Sequence, residues 1–257
     1  MHLYYQTYGE GHPLIILHGL FGSLENWHSL SKVFGEFFKV FAVDQRNHGR
    51  SPHSEVMNYT VMAEDILQLM QEQNLSSAHV LGHSMGAKTA MQLAITCPER
   101  VDTLVVVDMA PRTYPPHHRE IFNALYSLNL KSFRTRKDID EALTGKIPDF
   151  STRQFLLKNL IPDEAGGFRW RMNLDAIYQN YDELLKGIET ERKFEKPTLF
   201  IKGGNSPYIQ DEDLLGIQKI FPRAEIRVVE GVGHWVHAEA PQEFSKIVLD
   251  FLEENSL

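Results

Sequence analysis

The sequence predicts an α/β fold: a mostly parallel sheet with helices on both faces and a helical insertion over one edge. Three observations predict it. Short apolar runs rich in β-branched residues alternate with longer stretches of helical periodicity. Those runs are apolar at successive positions, the pattern of strands buried on both faces. One long stretch, residues 112–196, breaks the alternation and carries helical periodicity alone.

The elements follow in order. Residues 13–17 (Pro-Leu-Ile-Ile-Leu) read as a buried strand, and 40–43 as the next. From 60 to 73, Val61, Ile66, Leu69 and Met70 recur at helical spacing. Residues 78–81 form a strand, 85–96 a helix and 104–107 a strand of leucine and three valines. Strands at 198–201 and 226–229 complete the sheet, and 241–252 is a final amphipathic helix with Phe244, Ile247, Val248 and Phe251 on one face. Within 112–196 the helical groups are Ile121, Leu125 and Leu128, then Phe155, Leu156 and Leu160, then Ile177, Tyr181, Leu184 and Leu185. No strand is evident among them. Successive helices without a strand between them cannot all be crossovers. The division expected is therefore a core of 1–111 and 197–257 and a cap of 112–196, roofing the carboxyl ends of the strands where ligands bind.

Composition narrows the function. At 257 residues, 42% hydrophobic and 23% charged, the chain suits one large globular domain. Its net charge of −8 argues against a nucleic-acid binder, which would carry a basic face. The single cysteine, Cys97, excludes an internal disulfide and suits a reducing compartment. Cys97 precedes Pro98 at a helix end and reads as a small apolar filler. No secretory signal is visible at the N-terminus and no apolar run is long enough to span a bilayer, so the expected location is cytoplasmic.

The chemistry concentrates where strands end. Gly82-His83-Ser84-Met85-Gly86 has the form G-x-S-x-G, with a strand before it and a helix after it. A sharp strand-to-helix turn there would strain the serine backbone and lift its hydroxyl clear of the sheet, and the flanking glycines leave room for the turn. The following helix N-terminus favours negative charge at the site. A serine needs a base to become a nucleophile. Of 12 histidines the best placed is His234, on the glycine-bracketed loop Gly231-Val232-Gly233-His234-Trp235 between the last strand and the last helix. His237 is its nearest rival, and the adjacent pair His117-His118 is a weak metal signal. The carboxylate that would orient the histidine is Asp108, which ends the strand beside the nucleophile strand; Asp211 and Asp175 are weaker candidates. Oxyanion donors are expected from the amide of Met85 and, in the loop His18-Gly19-Leu20-Phe21-Gly22, from that of Leu20. His18 reads as a structural hydrogen-bonder beneath that loop.

Taken together these motifs resemble the α/β-hydrolase superfamily and, more narrowly, the YbfF-type group of small bacterial esterases and their mitochondrial relatives. The resemblance also runs through Arg46-Asn47-His48-Gly49-Arg50-Ser51-Pro52, Met57-Asn58-Tyr59, Asp108-Met109-Ala110-Pro111, Gly203-Gly204-Asn205-Ser206-Pro207-Tyr208 and Gly233-His234-Trp235-Val236-His237-Ala238-Glu239. The superfamily more often has glycine where Asn47 stands. It also usually carries its acid after the strand that follows the cap, where this chain has Asn205; the use of Asp108 instead agrees with the narrower group.

The resemblance implies an α/β-hydrolase fold and hydrolysis of short- to medium-chain carboxylic esters or acyl thioesters through an acyl-enzyme. Ser84 would attack, His234 shuttle the proton and Asp108 hold His234. No metal or organic cofactor is needed, and the expected partner is a small acyl ester or thioester. Phe122, Phe155 and Tyr181 from the cap, with Phe21 and Trp235 from the core, are expected to line an apolar pocket. The same three residues would also serve a carbon–carbon bond hydrolase or a haloperoxidase-like enzyme, and a hydrolase scaffold can instead serve a non-catalytic ligand-binding protein.

Overall fold

The computed structural model describes residues 1–255. In chain order the first half comprises β1 (Tyr5–Tyr8), β2 (Pro13–Leu17), α1 (His28–Phe34), β3 (Lys39–Val43), α2 (Tyr59–Glu72), β4 (Ala78–His83), α3 (Met85–Thr96) and β5 (Val101–Val107). The segment that follows holds α4 (Arg119–Tyr126), α5 (Arg136–Thr144), α6 (Phe150–Leu157), β6 (Leu160–Pro162), β7 (Phe168–Trp170), α7 (Leu174–Gln179) and α8 (Tyr181–Leu185). The chain then returns with β8 (Thr198–Gly203), α9 (Leu214–Ile220), β9 (Ala224–Val229), α10 (Val236–Glu239) and α11 (Pro241–Glu254).

The main sheet has seven strands in the order β1-β3-β2-β4-β5-β8-β9, and only the β1–β3 pair is antiparallel. Successive residues of the central strands enter opposite cores. Ile15, Leu17, Val80, Leu104 and Val106 pack on the side of α2 and α3. Leu14, Ile16, Leu81, Val105 and Val107 pack on the side of α1 and α11. Burial on both faces explains why these strands read as unbroken apolar runs. Parallel pairing also brings all their carboxyl ends to one edge, so the residues just after β2, β4, β5, β8 and β9 become neighbours.

Two features depart from the sequence expectation. Strand β1 was not foreseen: its Tyr-Gln-Thr-Tyr is a half-exposed edge with no apolar run. The segment expected to be wholly helical contains the antiparallel hairpin β6–β7. Its turn is built by Gly166 and Gly167, both at positive φ (97° and 72°), and by Asp163, whose backbone exchanges hydrogen bonds with both. The three-residue strands are too short for periodicity to reveal them. Their neighbours were also over-extended: Leu128 lies beyond α4, Leu160 starts β6, and the expected helix through Ile177 and Leu184 breaks at Asn180 into α7 and α8. Asn180 there donates from Nδ2 to Glu55 O at 2.7 Å and accepts from Met57 N at 3.2 Å.

The loop after β3 ties this segment to the core. Arg46 is buried and donates through Nε and Nη2 to both oxygens of buried Asp65 (2.6 and 2.9 Å), and further to the carbonyls of Val56 and Val61. Asn47 sits at φ 65°, a left-handed conformation that glycine meets without cost and that asparagine tolerates. The asparagine adds what glycine lacks: Oδ1 accepts from Ser54 N at 2.8 Å and from Asn173 Nδ2 at 3.2 Å. Its carbonyl accepts from Asn173 N at 2.8 Å. Removing one member of a buried ion pair typically costs about 3–5 kcal/mol, because the other charge stays behind uncompensated. Asp65→Ala should lose about that much in urea unfolding. A loss below about 1 kcal/mol would mean that the Val56 and Val61 carbonyls suffice to hold Arg46.

Candidate active site

Ser84 follows β4 directly and adopts φ 54°, ψ −115°, a strained conformation for a residue with a side chain. Its amide donates to Val107 O at 3.1 Å, and its carbonyl accepts from Ala87 N and Lys88 N as α3 begins. The glycines two positions away are steric requirements. A Cβ on Gly82 would lie 2.2 Å from Gly86 O, and one on Gly86 would lie 2.4 Å from Leu17 O. Strand, turn and helix therefore cross at backbone contact, which is what G-x-S-x-G permits.

Asp108 follows β5, also at positive φ (49°), with its side chain fully buried. Three donors hold the carboxylate. Gly203 N donates to Oδ1 at 3.1 Å, the Ser206 hydroxyl makes a short bond to Oδ2, and His234 Nδ1 donates to Oδ2 at 2.7 Å. Burial raises the Asp108 carboxyl above its ordinary value, and the Ser206 and Gly203 hydrogen bonds oppose that rise. His234 stacks on Tyr208 with ring centres 3.8 Å apart, and its carbonyl accepts from His83 Nε2 at 3.0 Å. Burial, with the His117 ring nearby, pulls the His234 imidazole below its ordinary range. With Nδ1 spent on Asp108, Nε2 is left as the basic nitrogen. Among the described residues Ser84 makes no side-chain hydrogen bond to His234; both side chains line one cavity, of about 370 Å³.

The remaining sequence candidates separate by position. Asp211 is exposed, and Asp175 is exposed and accepts from Tyr126 OH at 2.8 Å. Asn205 donates its amide to Val232 O. His237 is buried against Trp27, stacked at 4.3 Å. Phe21, Phe155 and Trp235 line the large cavity with Ser84 and His234. Tyr181 lines a second, smaller cavity that also borders Ser84 and, unlike the first, Met85. Phe122 lines neither: it is fully buried behind them, edge-on to Phe21 and Tyr181 at 5.1 Å each. The expectation that it lines the pocket fails because α4 packs it into the core. Among the described residues, no three or more His, Cys, Asp or Glu side chains gather as a metal site, and no helix is long and apolar enough to cross a membrane.

Among the described residues, the amides of Leu20 and Met85 donate to no protein acceptor. The loop bearing Leu20 is held from beneath. His18 Nδ1 donates to Gly19 O at 2.8 Å while its Nε2 accepts from Gln45 N at 3.0 Å. His48 Nδ1 donates to Arg46 O at 3.0 Å and its Nε2 accepts from Phe21 N at 3.2 Å. The role of His48 is not legible without the fold, because its partner is 27 residues away.

The α/β-hydrolase-fold family matches residues 12–154. The chain belongs to this family. It is 35% identical to esterase YbfF of Escherichia coli, over 97% of this chain and 96% of that protein. It is 40% identical to the sn-1-specific diacylglycerol lipase ABHD11 of Mus musculus, over 93% of this chain and 80% of that protein. Among solved structures, a marine microorganism esterase superposes with a TM-score of 0.96 at 42% identity, covering 98% of this chain and 99% of that one.

Both supporting imidazoles are neutral in the folded protein. Burial lowers His18 to about 4 and His48 to about 3, from an ordinary value of 6.5. As pH falls below that ordinary value the unfolded chain takes up protons first, so the stability these residues lend is present above it and is lost towards pH 4. Asp108 and Asp44, both raised by burial, partly offset this at the acid end. The unfolding temperature should fall between pH 7 and pH 5 in a calorimetric series. A rise over that interval would mean that proton uptake by the native protein, at Asp108 or at these imidazoles, outweighs uptake by the unfolded chain.

Proposed function

We propose that the chain is a serine hydrolase that cleaves short- to medium-chain carboxylic esters or acyl thioesters through an acyl-enzyme. The observation that carries this reading is the fully buried Asp108 carboxylate bound to His234 Nδ1, with His234 and the strained Ser84 facing one cavity. The esterase and lipase names of the relatives support it.

Ser84 Oγ bonds to the acyl carbon as its proton passes to His234 Nε2. The resulting imidazolium is stabilised by Asp108, and the oxyanion is bound by the Leu20 and Met85 amides, each such donor contributing about 3–4 kcal/mol to the transition state. The bond from the acyl carbon to the leaving oxygen or sulfur then breaks, and His234 gives that atom its proton. Water, deprotonated by His234, repeats the attack and releases the acid and Ser84. No step calls on a metal or an organic cofactor. Residues 112–196 act as the cap, bringing Phe155 and His118 over the cavity opposite the strand ends.

Ser84→Ala should lower p-nitrophenyl butyrate turnover by about five orders of magnitude, and a fluorophosphonate probe should label the native protein but not this variant. A variant with native rates would move the nucleophile elsewhere, and a native protein that resists the probe would favour a binding role. Asp108→Asn should cost about four orders of magnitude in kcat by spoiling the tautomer and charge of His234, while Asp211→Asn leaves kcat unchanged. The reverse pattern would transfer the acid to Asp211.

A further inference from the structure

Two cavities meet at Ser84. Leu20, Ser84 and His118 border both. The larger, about 370 Å³, is bordered by His234 and not by Met85; the smaller, about 30 Å³, is bordered by Met85 and not by His234. That division is chemically directional. The imidazolium must reach the leaving atom to protonate it, so the leaving group departs on the histidine side. The acyl carbon keeps its other substituent on the side away from His234.

We propose that the small chamber receives the acyl group and the large one the leaving group, so that the substrates are esters or thioesters of short acyl groups on bulky alcohols or thiols. This rests on the hydrolase reading above. A chamber of about 30 Å³ is far below the roughly 150 Å³ of an apolar cavity that admits benzene. It accepts a methyl or ethyl group and rejects a long chain. Its wall is also fastened. Helix α8 supplies Leu184 and Leu185 to it. Tyr59 OH donates to Leu184 O at 2.6 Å, and the buried Lys88 ammonium donates to Leu185 O at 3.1 Å and Lys186 O at 2.5 Å. Those three bonds keep α8 from retreating before a longer acyl chain, whereas the large cavity has the partly exposed Phe155 and Trp235 on its rim.

The test compares kcat/KM over two series: p-nitrophenyl acetate, butyrate, hexanoate and octanoate, and the acetates of phenol, 1-naphthol and 4-phenylphenol. The native protein should lose about tenfold or more from acetate to octanoate, with no loss as the aryl group grows. Leu184→Ala, and separately Leu185→Ala, should raise the octanoate-to-acetate ratio about tenfold. Phe155→Ala should leave that ratio in place and change discrimination among the aryl acetates. A native preference for octanoate, or a ratio that responds to Phe155→Ala and not to either leucine variant, overturns the assignment of chambers while leaving the hydrolase reading intact. Failure of the native protein to turn over any ester of either series overturns both.

Discussion

A carboxylate with no access to water has to be fully satisfied by protein donors, and Asp108 imposes that requirement on three separate parts of the chain. Its donors come from the end of β8, from Ser206 in the loop beyond it, and from His234 in the loop after β9. These loops converge because the strands before them are parallel neighbours. Asp108 sits at positive φ just after β5, and its bonds reach the loops after β8 and β9, so one strained residue organises the loops of the next two strands. The histidine is thereby held in one tautomer, with Nε2 left free of Asp108.

On the other side of Ser84 the organisation is by backbone contact. Gly82 and Gly86 allow α3 to start against the carbonyls that end β2, and the next loop along carries Leu20. That loop packs Phe21 and Leu20 onto the core and is braced from beneath by imidazoles. His18 and His48 each donate through one nitrogen and accept a backbone N–H through the other, a division of roles only the neutral ring can make. Acid conditions thus act on the support of the loop that carries Leu20.

The central sheet was legible because its strands are buried on both faces and leave continuous apolar runs. The elbow was legible because its glycines answer a steric demand that is local in sequence. Asp108 was legible as a charge that abruptly ends such a run, and Asn205 pointed the same way by standing where a carboxylate would otherwise be expected. What stayed hidden depends on contacts distant in sequence. Ser206 looks like an ordinary loop serine until β5 and β8 pair. His48 acquires its meaning only when the loop after β3 meets the loop after β2. Phe122 is an apolar residue of the inserted segment like its neighbours in sequence, and only its packing on Phe21, Tyr178 and Tyr181 shows that it serves the core. The hairpin β6–β7 was missed because two three-residue strands have no period, although Asp163, Gly166 and Gly167 spell out its turn.

Asn47 gives the molecule a shared foundation. Its carbonyl and side-chain oxygen both hold Asn173, at the start of α7, while the next residue, His48, holds the amide of Phe21 beside Leu20. The segment 112–196 and the loop bearing Leu20 are thus braced from adjacent links of one loop. Asn173, far along the chain from Phe21, leans on the same short loop that holds the Phe21 amide, and a substitution at Asn173 loads that loop one peptide unit from His48.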